Sequence, residues 1–252
     1  MNRYPLLLAG AFCLALAFTG CSDDDDSPAQ PAQPVTHDGQ TLSLGTGQVT
    51  AYERVAADGS LLAVGVRFDE SALSSLPADD TPLTLALPKK TATSPFDHVG
   101  FDWVSHGHFP EPIYGVPHFD VHFYTVDNQV LAAIEPGPDA VLPAAQYMPK
   151  DYMSTFDAVP FMGTHYLDST AAELHGTPFD KTFIYGFYRG DLVFMEPMIT
   201  KAFFESKPNV TVDIKQPAAF KQTGKAFPTK YSVSYDATAK RYAVEMTAMQ
   251  MR

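Results

Sequence analysis

Cysteine is almost absent: the 252-residue chain has two, Cys13 and Cys21. Once the segment before Cys21 is removed, no internal disulfide and no thiolate metal site can form, so stability must come from an apolar core. Cations are scarce. Lys and Arg number 17 against 29 Asp and Glu, a formal net charge of −12, which disfavours nucleic acid and anionic lipid as partners. No apolar run reaches the about 20 residues that span a bilayer as a helix. Long amphipathic helices are missing. So are G-x-S-x-G, a phosphate loop, a dinucleotide fingerprint and H-E-x-x-H.

What is present begins with an export signal. Arg3 gives a positive start, residues 6–18 are apolar, and Phe18-Thr19-Gly20-Cys21 follows. Small residues before a cysteine resemble the bacterial lipoprotein signal, in which the cysteine is lipidated and becomes the N-terminus. Phe18 stands where Leu is usual. Residues 1–20 are therefore expected to be a signal peptide and Cys21 the lipidation site, anchoring the chain by lipid to a membrane. Ser22 does not resemble the inner-membrane retention signal. The expected location is the cell envelope, on the outer membrane facing the periplasm or on the cell surface.

Residues 21–40 begin with Asp23-Asp24-Asp25-Asp26 and continue rich in Pro, Ala and Gln. They lack side chains to bury and read as a disordered tether. Residues 41–252 read as one β-rich domain. Strand-like runs at 48–55 and 60–68 flank the turn Ala57-Asp58-Gly59. Residues 69–76 read as a short helix stopped by Pro77, and 82–87 as a strand. Asp127-Asn128 turns the chain, and 129–134 is expected to return as a strand. Residues 135–160, rich in proline, read as an irregular loop. Arg189-Gly190-Asp191 joins strands at 182–188 and 192–200. Residues 201–206 suggest a helical turn, and 210–214, 230–235 and 241–249 late strands. Short strands, frequent turns and 21 prolines point to a mainly β fold, an antiparallel sandwich or barrel with few short helices.

Six of the eight histidines lie between His98 and His165. In Pro117-His118-Phe119-Asp120-Val121-His122-Phe123-Tyr124, strand alternation puts His118, Asp120, His122 and Tyr124 on one face and Phe119, Val121 and Phe123 on the other. Imidazoles and carboxylates on neighbouring strands suit a divalent metal, zinc first. His118 and His122 would stand roughly 13 Å apart on an extended strand, far for two ligands of one ion unless a bulge at Asp120 shortens the distance. His165 follows Gly163, and Glu196 interrupts the apolar run 192–199. A buried carboxylate needs a partner, and histidines are available. A buried hydrogen-bond network that fixes strand register would use the same residues.

The strings Gly107-His108-x-Pro110, Pro117-His118-Phe119-Asp120-x-His122-Phe123-Tyr124, Gly163-x-His165 and Phe194-x-Glu196-Pro197 resemble an uncharacterised family of bacterial secreted proteins and lipoproteins. The resemblance covers about residues 98–204. It implies a β-rich fold and the motif positions His108, His118, His122, His165 and Glu196, with no activity attached. His106 stands outside that set. The expected metal ligands are thus His108, His118, His122, His165 and Glu196. If the site is catalytic, Glu196 or Asp120 is the expected base and Tyr124 orients substrate, for a hydrolysis or an isomerisation. The alternatives are a module that binds a small-molecule ligand or a metal without turnover, and a structural protein with a histidine network.

Overall fold

The computed structural model describes residues 33–252. The expected signal peptide, the lipidation site Cys21 and the first part of the tether lie outside the described residues. Two open antiparallel sheets form a sandwich, and neither closes into a barrel.

The six-stranded sheet has the order β1-β2-β3-β14-β13-β12, built from Val35–Leu44, Gly47–Val55, Leu61–Asp69, Arg241–Met251, Ala226–Asp236 and Asn209–Asp213. The eight-stranded sheet has the order β4-β5-β6-β11-β10-β9-β8-β7. Its strands are Thr81–Ala86, His98–Val104, His118–Tyr124, Asp191–Thr200, Lys181–Tyr188, Gly163–Asp168, Tyr152–Val159 and Gly137–Pro138. Among the described residues, four short α-helices, α1 (Glu70–Ser74), α2 (Glu111–Tyr114), α3 (Asn128–Ala132) and α4 (Lys201–Glu205), and two 3-10 turns, Ala145–Tyr147 and Ala172–His175, complete the fold.

Three expectations are corrected. Strand β1 starts at Val35 and pairs with β2 from Val35↔Val55 onward. Residues 35–40 therefore belong to the domain and not to the tether. Their polar composition suits a sheet edge, where one side of the strand meets solvent. Residues 128–132 form α3 and not a strand, because the Asp127 carboxylate caps the backbone N–H groups of Gln129 and Val130. Within the expected loop 135–160, β8 pairs with β9, broken by a register shift between Ser154 and Ala158. That interruption hides the alternation.

The main core lies between the sheets. Phe101, Trp103, Phe119, Val121, Phe123, Phe183, Tyr185, Met195 and Ile199 face Val49, Val66, Phe68, Tyr231, Val233, Tyr242 and Val244. A second, smaller apolar cluster covers the outer face of the eight-stranded sheet. It gathers Tyr114, Tyr124, Leu131, Ile134, Ile184, Phe194 and Met198 under α2, α3 and their loops. Strand β6 is consequently buried along both faces. Its odd-numbered residues join the main core, and its even-numbered residues lie in the outer cluster.

Candidate metal centre

All seven residues of β6 pair with β5 in unbroken register, from His98↔Tyr124 to Val104↔His118. Pairing with β11 keeps one register at both ends, Phe194↔Tyr124 and Thr200↔His118. No bulge occurs at Asp120, so His118 and His122 stay apart. The expected single constellation divides into two sets of three: His108, His118 and Asp120, and His122, His165 and Glu196. Within each set one potential ligand atom per residue lies within 4.8 Å of the others.

Glu196 sits on β11 beside His122, between Phe194 and Met198 of the outer cluster. Its side chain is 2 % exposed, with Oε1 3.5 Å from His122 Nε2 and Oε2 3.9 Å from His165 Nε2. On the far side of the His122 ring, Asp102 Oδ2 lies 3.4 Å from Nδ1. That carboxylate stands where it would orient the ring of a ligating imidazole. His165 arrives from β9, opposite Gly186 of β10. A Cβ at Gly186 would lie 2.0 Å from the Phe194 ring. Only glycine lets that ring cross to pack against His122 and His165, at 4.8 and 5.0 Å between centroids.

The first set is assembled from β6 and a loop. His118 Nδ1 lies 2.6 Å from Val116 O, and His108 Nδ1 lies 2.8 Å from Phe109 O. A carbonyl only accepts, so both Nδ1 atoms donate, and in a neutral ring Nε2 keeps its lone pair. Both Nε2 atoms face Asp120: His118 Nε2 is 3.1 Å from Oδ1 and His108 Nε2 is 3.5 Å from Oδ2. Gly107, at φ 75°, makes the turn that delivers His108. A Cβ there would lie 2.2 Å from Tyr114 O.

Several of these atoms are buried without a hydrogen bond among the described residues: His118 Nε2, Asp120 Oδ1, both ring nitrogens of His122, and Glu196 Oε2. An uncompensated buried polar atom costs about 1–3 kcal/mol; two of these five lie in the set with Asp120 and three in the set with Glu196. Electrostatics agree. The Asp120 carboxylate beside His108 pushes that imidazole up to about 9. Burial opposes charge on His122, but Glu196 and Asp102 outweigh it and raise its pKa to about 9. Asp120, although buried, is held far below the usual carboxylate range by His108 and His118. Burial pushes Glu196 up. His165 is held well below the usual imidazole value by burial and by the charge on His122. Each set thus needs positive charge between its acceptors, from a proton or from a metal ion.

All five expected ligands therefore fall in the two sets, and Asp120 joins them. Tyr124, the residue expected to orient substrate, is buried. It is 6 % exposed and lies between the rings of His98 and His122, stacked on each at 4.7 and 5.4 Å. His106 takes no part: its Nδ1 lies 2.8 Å from the Ser105 hydroxyl. Sequence reasoning missed Asp102, the ring of Phe194, and the buried pair Tyr114 and Glu173, both of which carry an oxygen without a hydrogen bond. The outward parity of Asp102 on β5 was available as a signal. Its pairing opposite β6 was not. The aromatic cavity of about 380 Å³ floored by Tyr185, Phe187 and Phe227 lies elsewhere. The two sets are packed under loops and not set in that cleft.

Residues 57–103 match a family model described as TTHB210-like, hypothetical protein TTHB210. The match runs from just before β3 to near the end of β5 and includes Asp102 but none of the six residues of the two sets. It fits an uncharacterised family of unknown function. No curated protein and no solved structure matches the chain.

Proposed function

We propose that this chain is a cell-envelope lipoprotein, anchored through Cys21, whose β-sandwich binds a divalent metal through His122, His165 and Glu196. The carrying observation is Glu196: a carboxylate buried in an apolar cluster, with one oxygen towards each of two imidazoles. Two imidazoles and a carboxylate make a zinc donor set of the kind that leaves further positions open to water or substrate. Iron(II) takes the same set in an open facial arrangement.

Such an ion, held by these residues, would supply a water with its pKa lowered to about 7, suited to hydrolysis or proton transfer at neutral pH. Both oxygens of Glu196 and both of Asp120 already face imidazoles. That favours ligand roles for the two acids over the role of free base. Asp102 orients His122, and Phe194 excludes water from one side. The leader and the location rest on the signal-like start of the sequence alone.

Elemental analysis of purified protein without a histidine tag tests the metal reading. Bound zinc or iron is expected, and Glu196→Gln should lose it while keeping the far-ultraviolet circular dichroism of the parent. A folded, metal-free parent that takes up neither ion on titration ends this reading.

A further inference from the structure

We infer that His108, His118 and Asp120 form a second ion site, built separately from the set around Glu196. This deepens the metal reading above but uses none of the same ligands. His118 Nε2 and Asp120 Oδ1 lie 3.1 Å apart, both buried, with no hydrogen bond between them or to other described residues. His118 Nδ1 is committed to the Val116 carbonyl, so Nε2 is the ring atom left to face the carboxylate oxygen. The nitrogen and the carboxylate oxygen stand at close range with neither satisfied, and a metal ion between them would bind both. His108 adds a third donor with the same wiring, its Nδ1 on a carbonyl and its Nε2 3.5 Å from Asp120 Oδ2.

The site cannot share one ion with its neighbour. Asp120 and His122 are successive outward residues of a strand in unbroken register, about 7 Å apart along it. Metal–ligand bonds to nitrogen and oxygen are about 2 Å. The two sets therefore hold two ions or one, never a single ion bound by all six residues.

Their surroundings also differ. The second site is closed on one side by the edges of Tyr114 and Phe179, which stand against His108 and His118 at 6.1 and 5.7 Å. On the other side it opens through His108, whose side chain is 42 % exposed. Three protein donors and an open approach describe a site for an exchangeable divalent transition metal, zinc or cobalt(II), with water or a small oxyanion completing the shell.

Titration of chelator-stripped, tag-free protein with cobalt(II), followed by visible absorption and by equilibrium dialysis with zinc, reads the stoichiometry. The parent should bind two equivalents. Asp120→Asn should bind one, and Glu196→Gln should bind one. If Asp120→Asn does not fold, His108→Gln on the exposed loop replaces it, with the same one-equivalent expectation. A parent that binds one equivalent, retained by His108→Gln and lost with Glu196→Gln, overturns the second site and leaves the first reading standing. One equivalent lost with His108→Gln but kept by Glu196→Gln sinks the first reading alone. One equivalent lost in both variants means a shared ion and overturns the inference.

Discussion

A buried histidine at the end of a three-ring stack is where single-residue chemistry is easiest to isolate. His98 stacks on Tyr124, which stacks on His122, and His98 Nδ1 lies 3.1 Å from Asp97. Burial is the largest influence on His98 and holds its pKa below the ordinary imidazole value, against the pull of Asp97. The folded chain therefore prefers the neutral ring. As pH falls through about 6.5 the unfolded chain takes up the proton first. The stability tied to His98 is complete above that pH and is lost as pH falls toward the depressed folded-state value. His98→Gln should flatten the dependence of melting temperature on pH between roughly pH 7 and 5. An unchanged slope would show that another group titrates there.

At the scale of the strand, β6 and β11 each carry two independent messages by parity. Ile199 is fully buried in the main core, three residues from Glu196. Ile199→Ala should cost about 2–5 kcal/mol in urea unfolding and leave metal stoichiometry unchanged, since its side chain points away from the ligands. Loss of metal in a folded Ile199→Ala protein would break that separation. Parity is also what made β6 readable from the sequence. His118, Asp120, His122 and Tyr124 alternate with Phe119, Val121 and Phe123, and the strand followed. The partition into two sets was not readable. It depends on the loop that brings His108 back over Asp120, on Asp102 reaching His122 from β5, and on β9 placing His165 beside Gly186. Those pairings are long-range register, which no local pattern encodes. Helix α3 escaped for a local reason: Val130, Leu131 and Ala132 are an apolar run that suits a strand as well, and the Asp127 cap decided the outcome. Strand β1 escaped because a polar edge strand has the composition of a linker.

For the whole molecule, metal and fold are coupled by mass action. A ligand held at a hundredfold its dissociation constant adds about 2.7 kcal/mol to the folded state. Stripping with a chelator should lower the calorimetric melting temperature, and stoichiometric zinc should restore it. A melting temperature indifferent to both treatments would show that the two sets carry protons and not ions.

The outer cluster lies on the back of a sheet whose front already forms the sandwich. Architecture and donor atoms are thus carried by separate residues. Drift at positions 118, 120, 122, 165 and 196 can erase or exchange the coordinating groups while the sheets persist. A protein that shares this scaffold need not share the donor atoms, and a match confined to residues 57–103 reports on none of the six residues of the two sets.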